Sequence, residues 1–207
     1  MSADGVKQLR VIGLVGGIAS GKSRVAQELA RRGAVVLDAD RAGHAVLQLP
    51  AVEQAARERW GDAIFDTAGH IDRKQLAAIV FARTPEGRDE LAALERLTHP
   101  LIAERLDEQL QEAARQGATV AVLDAPVLLK AGWDRFCDRI VFVDSPREQR
   151  LARARERGWS EEQFTEREAA QESLDFKAAR ADVTIDNSGD LAQLSAQVAQ
   201  LWPQLRS

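Results

Sequence analysis

The sequence predicts an α/β fold with a mainly parallel five-stranded sheet. Short apolar runs rich in β-branched residues alternate with helix-forming stretches, and a glycine-rich turn joins the first run to the first helix. Strands that alternate with helices are joined by right-handed crossovers, which bring them parallel into one covered sheet. The five predicted strands are 9–15, 34–40, 119–123, 140–143 and 183–185.

The first helix is predicted over 23–32. This stretch consists of good helix formers and places Val25, Ala26 and Leu29 on one face. Gly33 follows, and glycine is the residue that a left-handed C-terminal cap prefers. The helix is therefore expected to pack its apolar face on the sheet and to end before the second strand.

Two long segments interrupt the alternation of strands and helices. Residues 46–117 have helical periodicity and no convincing strand, which predicts a helical insertion. Residues 147–179 are charged and helix-forming, with a break at Gly158, which is typical of a mobile lid. The predicted core consists of the remaining segments, 9–45, 118–146 and 180–207.

Composition limits the function classes. The 207 residues are 45% hydrophobic and 29% charged, as in a soluble globular protein. No apolar stretch is long enough for a membrane span or resembles a signal peptide, so we expect a cytoplasmic protein and no membrane partner. Cys137 is the only cysteine, which excludes an internal disulfide or a multi-cysteine zinc site. A net charge of −4 argues against nonspecific nucleic-acid binding. We expect a monomer, because no extended apolar stripe is left unassigned.

The sequence GGIASGKS, between the first strand and the first helix, matches the pattern G-x-x-x-x-G-K-[ST]. Glycines let the backbone curl so that its amides point inward, and the helix N-terminus adds a partial positive charge. Lys22 is expected to reach the β- and γ-phosphates, and the Ser23 hydroxyl to complete a Mg²⁺ shell. The predicted nucleotide-binding residues of this phosphate loop are Gly16, Gly17, Ile18, Ala19, Ser20, Gly21, Lys22 and Ser23.

Carboxylates end two of the predicted strands. Alternation along the second strand would place Asp38 and Asp40 on one face, at the edge where open α/β sheets bind ligands. One carboxylate would accept a proton from an attacking hydroxyl or orient it, and the other would hold Mg²⁺-bound water. Asp124 is a metal-ligand candidate at the end of the third strand. The alternative for these aspartates is an ordinary turn or loop start.

Arginines cluster in the second interrupting segment. Arg150, Arg153 and Arg157 are spaced to lie on one helical face. They would either neutralise charge on a transferred phosphoryl group or form surface ion pairs. The neighbouring carboxylates available for such pairs are Glu148, Glu156, Glu161 and Glu162.

Beyond these motifs, the chain resembles the dephospho-CoA kinase family along nearly its whole length. The segments that carry the resemblance are GLVGGIASGKS, VVLDAD, IDRKQLAAIVF, LTHPLI, LDAPVLL, CDRIVFVD, REAAQ and ARADVTIDNSG. The resemblance implies ATP-dependent phosphorylation of the ribose 3′-hydroxyl of dephospho-CoA, with Mg²⁺, to give CoA and ADP. It also implies a P-loop core, a helical CoA-binding domain corresponding to 46–117 and a lid corresponding to 147–179.

The resemblance also suggests roles for single residues. Asp40 corresponds to the family's proposed catalytic base, and Arg153 and Arg157 to its lid arginines. The implied catalytic set is Asp40, Lys22 and Arg153. The implied acceptor-binding residues are Asp38, Asp40, Arg73, His99 and Pro100. Arg157, Asn187 and Gly189 complete the implied nucleotide site, and the implied metal ligands are Ser23 and Asp124.

Three positions depart from the family pattern. Ala19 replaces a usual glycine, which the loop would tolerate if φ there stays negative. Lys130 replaces a usual glutamate near the expected acceptor site and reverses its charge, and Arg150 replaces a frequent glutamine. Two other functions remain open: a kinase for a different small acceptor, or a nucleotide-binding switch. The switch fits poorly, because no guanine-reading NKxD motif follows the later strands.

Overall fold

A computed structural model describes residues 9–206, so residue 207 of the predicted core lies outside the described residues. It contains a five-stranded sheet in the order β2-β3-β1-β4-β5, and every neighbouring pair is parallel. The predicted α/β fold class is thereby confirmed. The strands are β1 Arg10–Gly16, β2 Val35–Asp38, β3 Val120–Asp124, β4 Arg139–Asp144 and β5 Val183–Asp186.

Helices occupy both segments that interrupt the alternation. Both segments are helical, as the sequence predicts. Gly158 follows α6, has a left-handed φ of 81° and separates α6 from the next helix. Short 3₁₀ helices cover 62–64 and 133–136. The α-helices are α1 Lys22–Ala30, α2 Ala39–Val46, α3 Pro50–Trp60, α4 Arg73–Val80, α5 Pro85–Arg115, α6 Arg147–Glu156, α7 Glu161–Ala169, α8 Leu174–Ala179 and α9 Leu191–Leu205.

The second strand is shorter than expected. β2 ends at Asp38, and Ala39 already begins α2, whose first turn contains Asp40. The prediction that Asp38 and Asp40 share one face of a strand is therefore wrong. The physical reason is that a carboxylate in the first turn of a helix interacts favourably with the helix dipole, which offsets the poor helix propensity of aspartate.

Helix α5 continues through a proline. A proline inside a helix usually ends or kinks it, but α5 runs over 31 residues and contains both His99 and Pro100. Pro100 removes only one backbone donor, and the Thr98 hydroxyl donates to the Leu94 carbonyl at 2.8 Å in the same stretch.

The described residues form two compact units, one of 9–38 with 109–206 and the other of 39–108. In the first unit, α1 and α9 cover one face of the sheet. The core there consists of buried side chains from all strands except β2, together with those of the two helices; among them are Ile12, Leu14, Val25, Leu29, Val122, Val141, Ile185, Leu194 and Val198. This packing fixes α1, whose first residue is the lysine of the phosphate loop.

The second unit has its own small apolar core. Ala56 of α3, Leu76 and Val80 of α4, and Ile64 between these helices are all buried. Trp60 packs against them and donates its indole N–H to Glu90 at 2.7 Å. In the part of the chain that the structure describes, no helix is both long and apolar enough to cross a membrane.

Gly13, in the middle of β1, allows a close approach that any larger residue would prevent. A Cβ atom there would lie 2.7 Å from both the Cys137 sulfur and a Leu128 methyl group. We therefore expect Gly13→Ala to lower the free energy of unfolding by about 1–3 kcal/mol, because overpacking a core displaces its neighbours. Chemical denaturation measures the change.

Gly43 is the matched control for this substitution. It lies within α2, and an added Cβ would make only an ordinary contact of 3.5 Å with Ile102. Gly43→Ala should raise the free energy of unfolding by about 0.5–1 kcal/mol, because alanine is the better helix former. Equal effects at the two positions would contradict the steric explanation for Gly13.

Candidate functional site

The phosphate loop leaves β1 at Gly16 and enters α1 at Lys22, as the motif predicts. Glycine is required at Gly16 and Gly21, because neighbouring atoms leave no room for a Cβ atom and the backbone φ at Gly21 is left-handed. A Cβ at Gly16 would lie 2.6 Å from the Val143 carbonyl oxygen, and Gly21 has a left-handed φ of 98° with Asn187 directly against it. This conformation turns the loop into the N-terminus of α1, where backbone amides favour an anion.

Ala19 adopts a left-handed backbone conformation that is unusual for alanine. Its φ is +57°, in the left-handed region, so the expected negative φ is wrong. A left-handed alanine costs about 1–2 kcal/mol relative to the right-handed form. Two contacts hold it there: its side chain packs with Leu151 and Phe164, and its carbonyl accepts from Arg153 Nη1 at 3.4 Å.

Lys22 lies along the loop. Its Nζ atom donates to the Gly17 carbonyl at 3.3 Å and to the Gly16 carbonyl at 3.5 Å. Both distances are at the long end for a hydrogen bond, so these contacts are weak. The ammonium group is thus already located in the loop and can exchange weak carbonyl contacts for phosphate oxygens.

Ser23 and Asp124 lie together at the carboxyl edge of the sheet. The Ser23 hydroxyl donates to Asp124 Oδ2 at 3.4 Å, and Asp38 is the register partner of Asp124 across β2 and β3. A hydroxyl group and carboxylates are oxygen ligands of the kind that Mg²⁺ prefers. The residues present therefore fit the metal site expected from the sequence.

Arg153 of α6 is a donor to the loop. It donates to the Ser20 carbonyl at 3.2 Å, to the Asn187 carbonyl at 2.8 Å and to the Ser145 hydroxyl at 3.0 Å. Burial, with the charge of Arg24 as a smaller cause, lowers the pKa of Arg153, but a guanidinium remains a cation at neutral pH. Arg153 therefore brings a positive charge directly to the loop backbone.

Asn187, which follows β5, supports the same carbonyl from another side. Asn187 is 2% exposed, and its side-chain amide donates to the Ser20 carbonyl at 2.7 Å. Gly189, two residues later, lies against Gln193, which leaves no room for a side chain there. The structure thus places Asn187 against the phosphate loop and Gly189 in the turn before α9.

Arg150 is buried between α6, α7 and the loop. Its side chain is 3% exposed, its Nε donates to the Ser145 carbonyl at 3.1 Å, and its Nη1 lies 2.6 Å from Glu168 Oε1. The ion pair is close, but Nη1 is not aligned as a hydrogen-bond donor. A Cβ at Gly17 would lie 2.8 Å from this Nη1 atom, so Arg150 directly adjoins the loop.

Glu168 is the carboxylate that holds this arginine cluster together. It also accepts from Arg147 Nε at 3.1 Å, and both arginines lie over the Phe164 ring. Burial by itself raises the pKa of Glu168, but the adjacent positive charges of Arg150 and Arg147 and the hydrogen bond from Arg147 outweigh it and lower the pKa below its usual value. Sequence spacing did not identify Glu168, because it lies on the next helix.

The three arginines predicted on one helical face have different surroundings. Arg150 and Arg153 turn inward, while Arg157 is exposed at the C-cap of α6. Of the four candidate carboxylates, Glu161 pairs with Arg155, at 2.9 Å. Arg155 therefore forms a surface ion pair, whereas Arg150 and Arg153 contact the loop.

Lys177 of α8 is a site residue that the sequence analysis missed. It is 3% exposed, and its Nζ donates to the Gln171 side-chain oxygen at 2.8 Å and to the Gly16 carbonyl at 3.4 Å. Burial, together with the nearby charge of Lys22, lowers the pKa of Lys177 to about 8. Because lysine is scarce in this sequence, that scarcity is the sequence feature that could have drawn attention to Lys177.

The predicted acceptor residues other than Asp38 belong to the second unit. Asp40 is exposed in the first turn of α2. Arg73 is exposed at the first position of α4, after the capping Asp72. His99 and Pro100 lie inside α5, where His99 is partly buried and Pro100 is exposed. These residues are placed on three helices of one compact unit.

Comparison with known proteins identifies the family to which this chain belongs. The dephospho-CoA kinase family model matches residues 10–193. The dephospho-CoA kinase of Symbiobacterium thermophilum is 42% identical over 94% of this chain and 80% of its own length. That of Corynebacterium glutamicum is 39% identical over 95% of this chain and 97% of its own. A Thermus thermophilus crystal structure is 32% identical, with a TM-score of 0.81 over 96% of this chain and 99% of its own. Since the matched residues include the phosphate loop and every strand, the chain belongs to the dephospho-CoA kinase family.

Proposed function

We propose that this protein transfers the γ-phosphoryl group of ATP to the ribose 3′-hydroxyl of dephospho-CoA, which gives CoA and ADP. The observation that carries the proposal is the match to the family over residues 10–193, which includes an intact phosphate loop. The loop lysine, the helix N-terminus and the Ser23–Asp124 pair supply the parts that phosphoryl transfer to a hydroxyl requires.

The reaction requires one bond to form and one to break. The 3′-oxygen forms a bond to the γ-phosphorus while the bond from that phosphorus to the β–γ bridging oxygen breaks, and the hydroxyl proton leaves. We assign the phosphates to the loop amides and Lys22, and the acceptor hydroxyl to Asp40. We assign charge stabilisation on the transferred group to Arg153, whose guanidinium adjoins the loop.

We assign Mg²⁺ to the Ser23 hydroxyl and the Asp124 carboxylate. When bound with ATP, the metal would neutralise charge on the β- and γ-phosphate oxygens. Ser23 and Asp124 come from the start of α1 and the end of β3, so the packing of α1 on the sheet sets the distance between these two ligands.

The remaining assignments concern the acceptor and the nucleotide. We assign Asp38, Arg73, His99 and Pro100 to binding of dephospho-CoA, and Arg157, Asn187 and Gly189 to the nucleotide side. The family resemblance supports these roles, and so does the contact of Asn187 with the loop. Residues 147–179 are assigned as a lid that excludes water from the reacting groups.

Replacement of the loop lysine tests the function directly. We expect Lys22→Ala to lower kcat/KM for dephospho-CoA by about 10²- to 10³-fold, because the cation that stabilises the transferred phosphoryl group is lost. The measurement is a mass-spectrometric transfer assay with Mg-ATP and a panel of dephospho-CoA, adenosine, AMP and shikimate.

Lys74→Ala is the matched control, because Lys74 is an exposed lysine on α4. It should leave transfer unchanged. Phosphorylation of another panel member in preference to dephospho-CoA would move the function to a different acceptor. ATP binding without transfer to any panel member would favour a nucleotide-binding module instead.

Replacement of Asp40 tests the acceptor chemistry. We expect Asp40→Asn to lower kcat by about 10²-fold or more and to leave the KM for ATP within about threefold, because the amide cannot accept the hydroxyl proton. Asp89→Asn, at an exposed position of α5, is the control and should change neither constant. Near wild-type kcat in Asp40→Asn would remove Asp40 from the catalytic set.

We also propose that the protein is a cytoplasmic monomer. Light scattering should then give a mass near 22.7 kDa, both alone and with Mg-ATP. A mass near twice that value at micromolar concentration would overturn the proposal of a monomer.

A further inference from the structure

Lys177 and Lys22 share one carbonyl oxygen of the phosphate loop. The Nζ atom of Lys177 lies 3.4 Å from the Gly16 oxygen, and that of Lys22 lies 3.5 Å from it. The two lysines come from different helices, α8 and α1. The loop is therefore approached by two ammonium groups, of which the sequence motif identifies only one.

The surroundings of Lys177 give its charge little compensation. Within residues 9–206, its hydrogen-bond acceptors are the neutral oxygens of Gly16 and Gln171. The charged groups that act on it are Lys22 on α1, Arg150 on α6 and Glu172 just before α8, so cations outnumber carboxylates. Glu168 of α7 and Lys177 line the same depression. Glu168 is already paired with Arg150 and Arg147, so it is not the counter-ion of Lys177.

A buried ammonium group without an ion pair is unfavourable unless a ligand supplies the negative charge. An ammonium group has three N–H donors, and the two acceptors named above leave one for a ligand. Lys177 also lines two depressions beside the loop. One is bordered by Gly16, Lys22 and Leu129, and the other by Gly17, Ser173 and Leu174. An anion bound in the loop is thus the natural counter-charge.

We propose that Lys177 is a second phosphate-binding lysine of this enzyme, which contacts the terminal phosphate of ATP together with Lys22. Lys177 shares the Gly16 carbonyl with Lys22, whose ammonium group is expected to reach the β- and γ-phosphates, and of these two we assign the outer one, the γ-phosphate, to Lys177. The inference deepens the proposed function and rests on it. It assigns to α8 a direct part in binding the group that is transferred.

The first test compares nucleotide affinities. Lys177→Met keeps the length of the side chain and removes its charge. We expect it to weaken ATP binding by about 10- to 100-fold and ADP binding by less than about threefold, because one charge-assisted hydrogen bond to the terminal phosphate is lost. Lys74→Met, on the exposed surface of α4, should change neither affinity. Equal weakening of ATP and ADP, or no weakening of either, would overturn the proposal.

The second test uses the unmodified protein and does not depend on whether the variant folds. Burial and Lys22 lower the pKa of Lys177 to about 8 in the free protein, and a bound phosphate raises it. Calorimetry of Mg-ATP binding at pH 8, in two buffers of different ionisation enthalpy, should therefore show uptake of about half a proton. ATP affinity should be constant below that pKa and fall about tenfold between pH 7 and pH 9.

A purely structural role for Lys177 would give no proton uptake, and that result would contradict the proposal. In folded Lys177→Met the uptake should vanish. Because both tests use nucleotide alone, they are independent of the acceptor. If the two results hold and dephospho-CoA is not phosphorylated, the proposed function fails while the phosphate-binding role of Lys177 stands.

Discussion

The Ser20 carbonyl is the point on which the phosphate loop depends. A loop whose amides point inward toward an anion turns carbonyl groups outward, and those carbonyls need donors. Arg153 and Asn187 both donate to the Ser20 oxygen, at 3.2 Å and 2.7 Å. They come from α6 and from the end of β5, far along the chain from the loop. The anion-binding conformation is therefore a property of the whole first unit and not of the eight-residue motif alone.

The positively charged side chains around the loop differ in whether a carboxylate neutralises them. Arg150 has Glu168 as its counter-ion, whereas Arg153 and Lys177 donate to neutral oxygen atoms. This arrangement concentrates positive charge beside the loop in a chain whose net charge is −4. Net charge thus indicates nothing about the local field, which depends on where the carboxylates lie.

Most of the fold could be predicted from the sequence, because strands and the phosphate loop are encoded locally. All five apolar runs became strands, and the glycine-rich motif lies between β1 and α1 as expected. The left-handed conformation of Ala19 was not predicted because a longer-range interaction overrides the local preference: α6 and α7 pack on this residue. The helical turn at Asp40 and the continuation of α5 through Pro100 are departures within single helices. Spacing along one helix likewise could not identify Glu168 or Lys177, whose partners belong to other elements.

The three helices of the segment 147–179 are all connected to the loop. Helix α6 reaches it through Arg153, α7 through Phe164, which packs with Ala19, and α8 through Lys177. The ion pair between Arg150 and Glu168 joins the first two helices. A bound polyphosphate would change the electrostatic energy of cations on α6 and α8 at the same time, since both adjoin the same few carbonyl groups. All three helices of this segment therefore contact the phosphate loop. A nucleotide bound in the loop would affect these helices through those shared contacts.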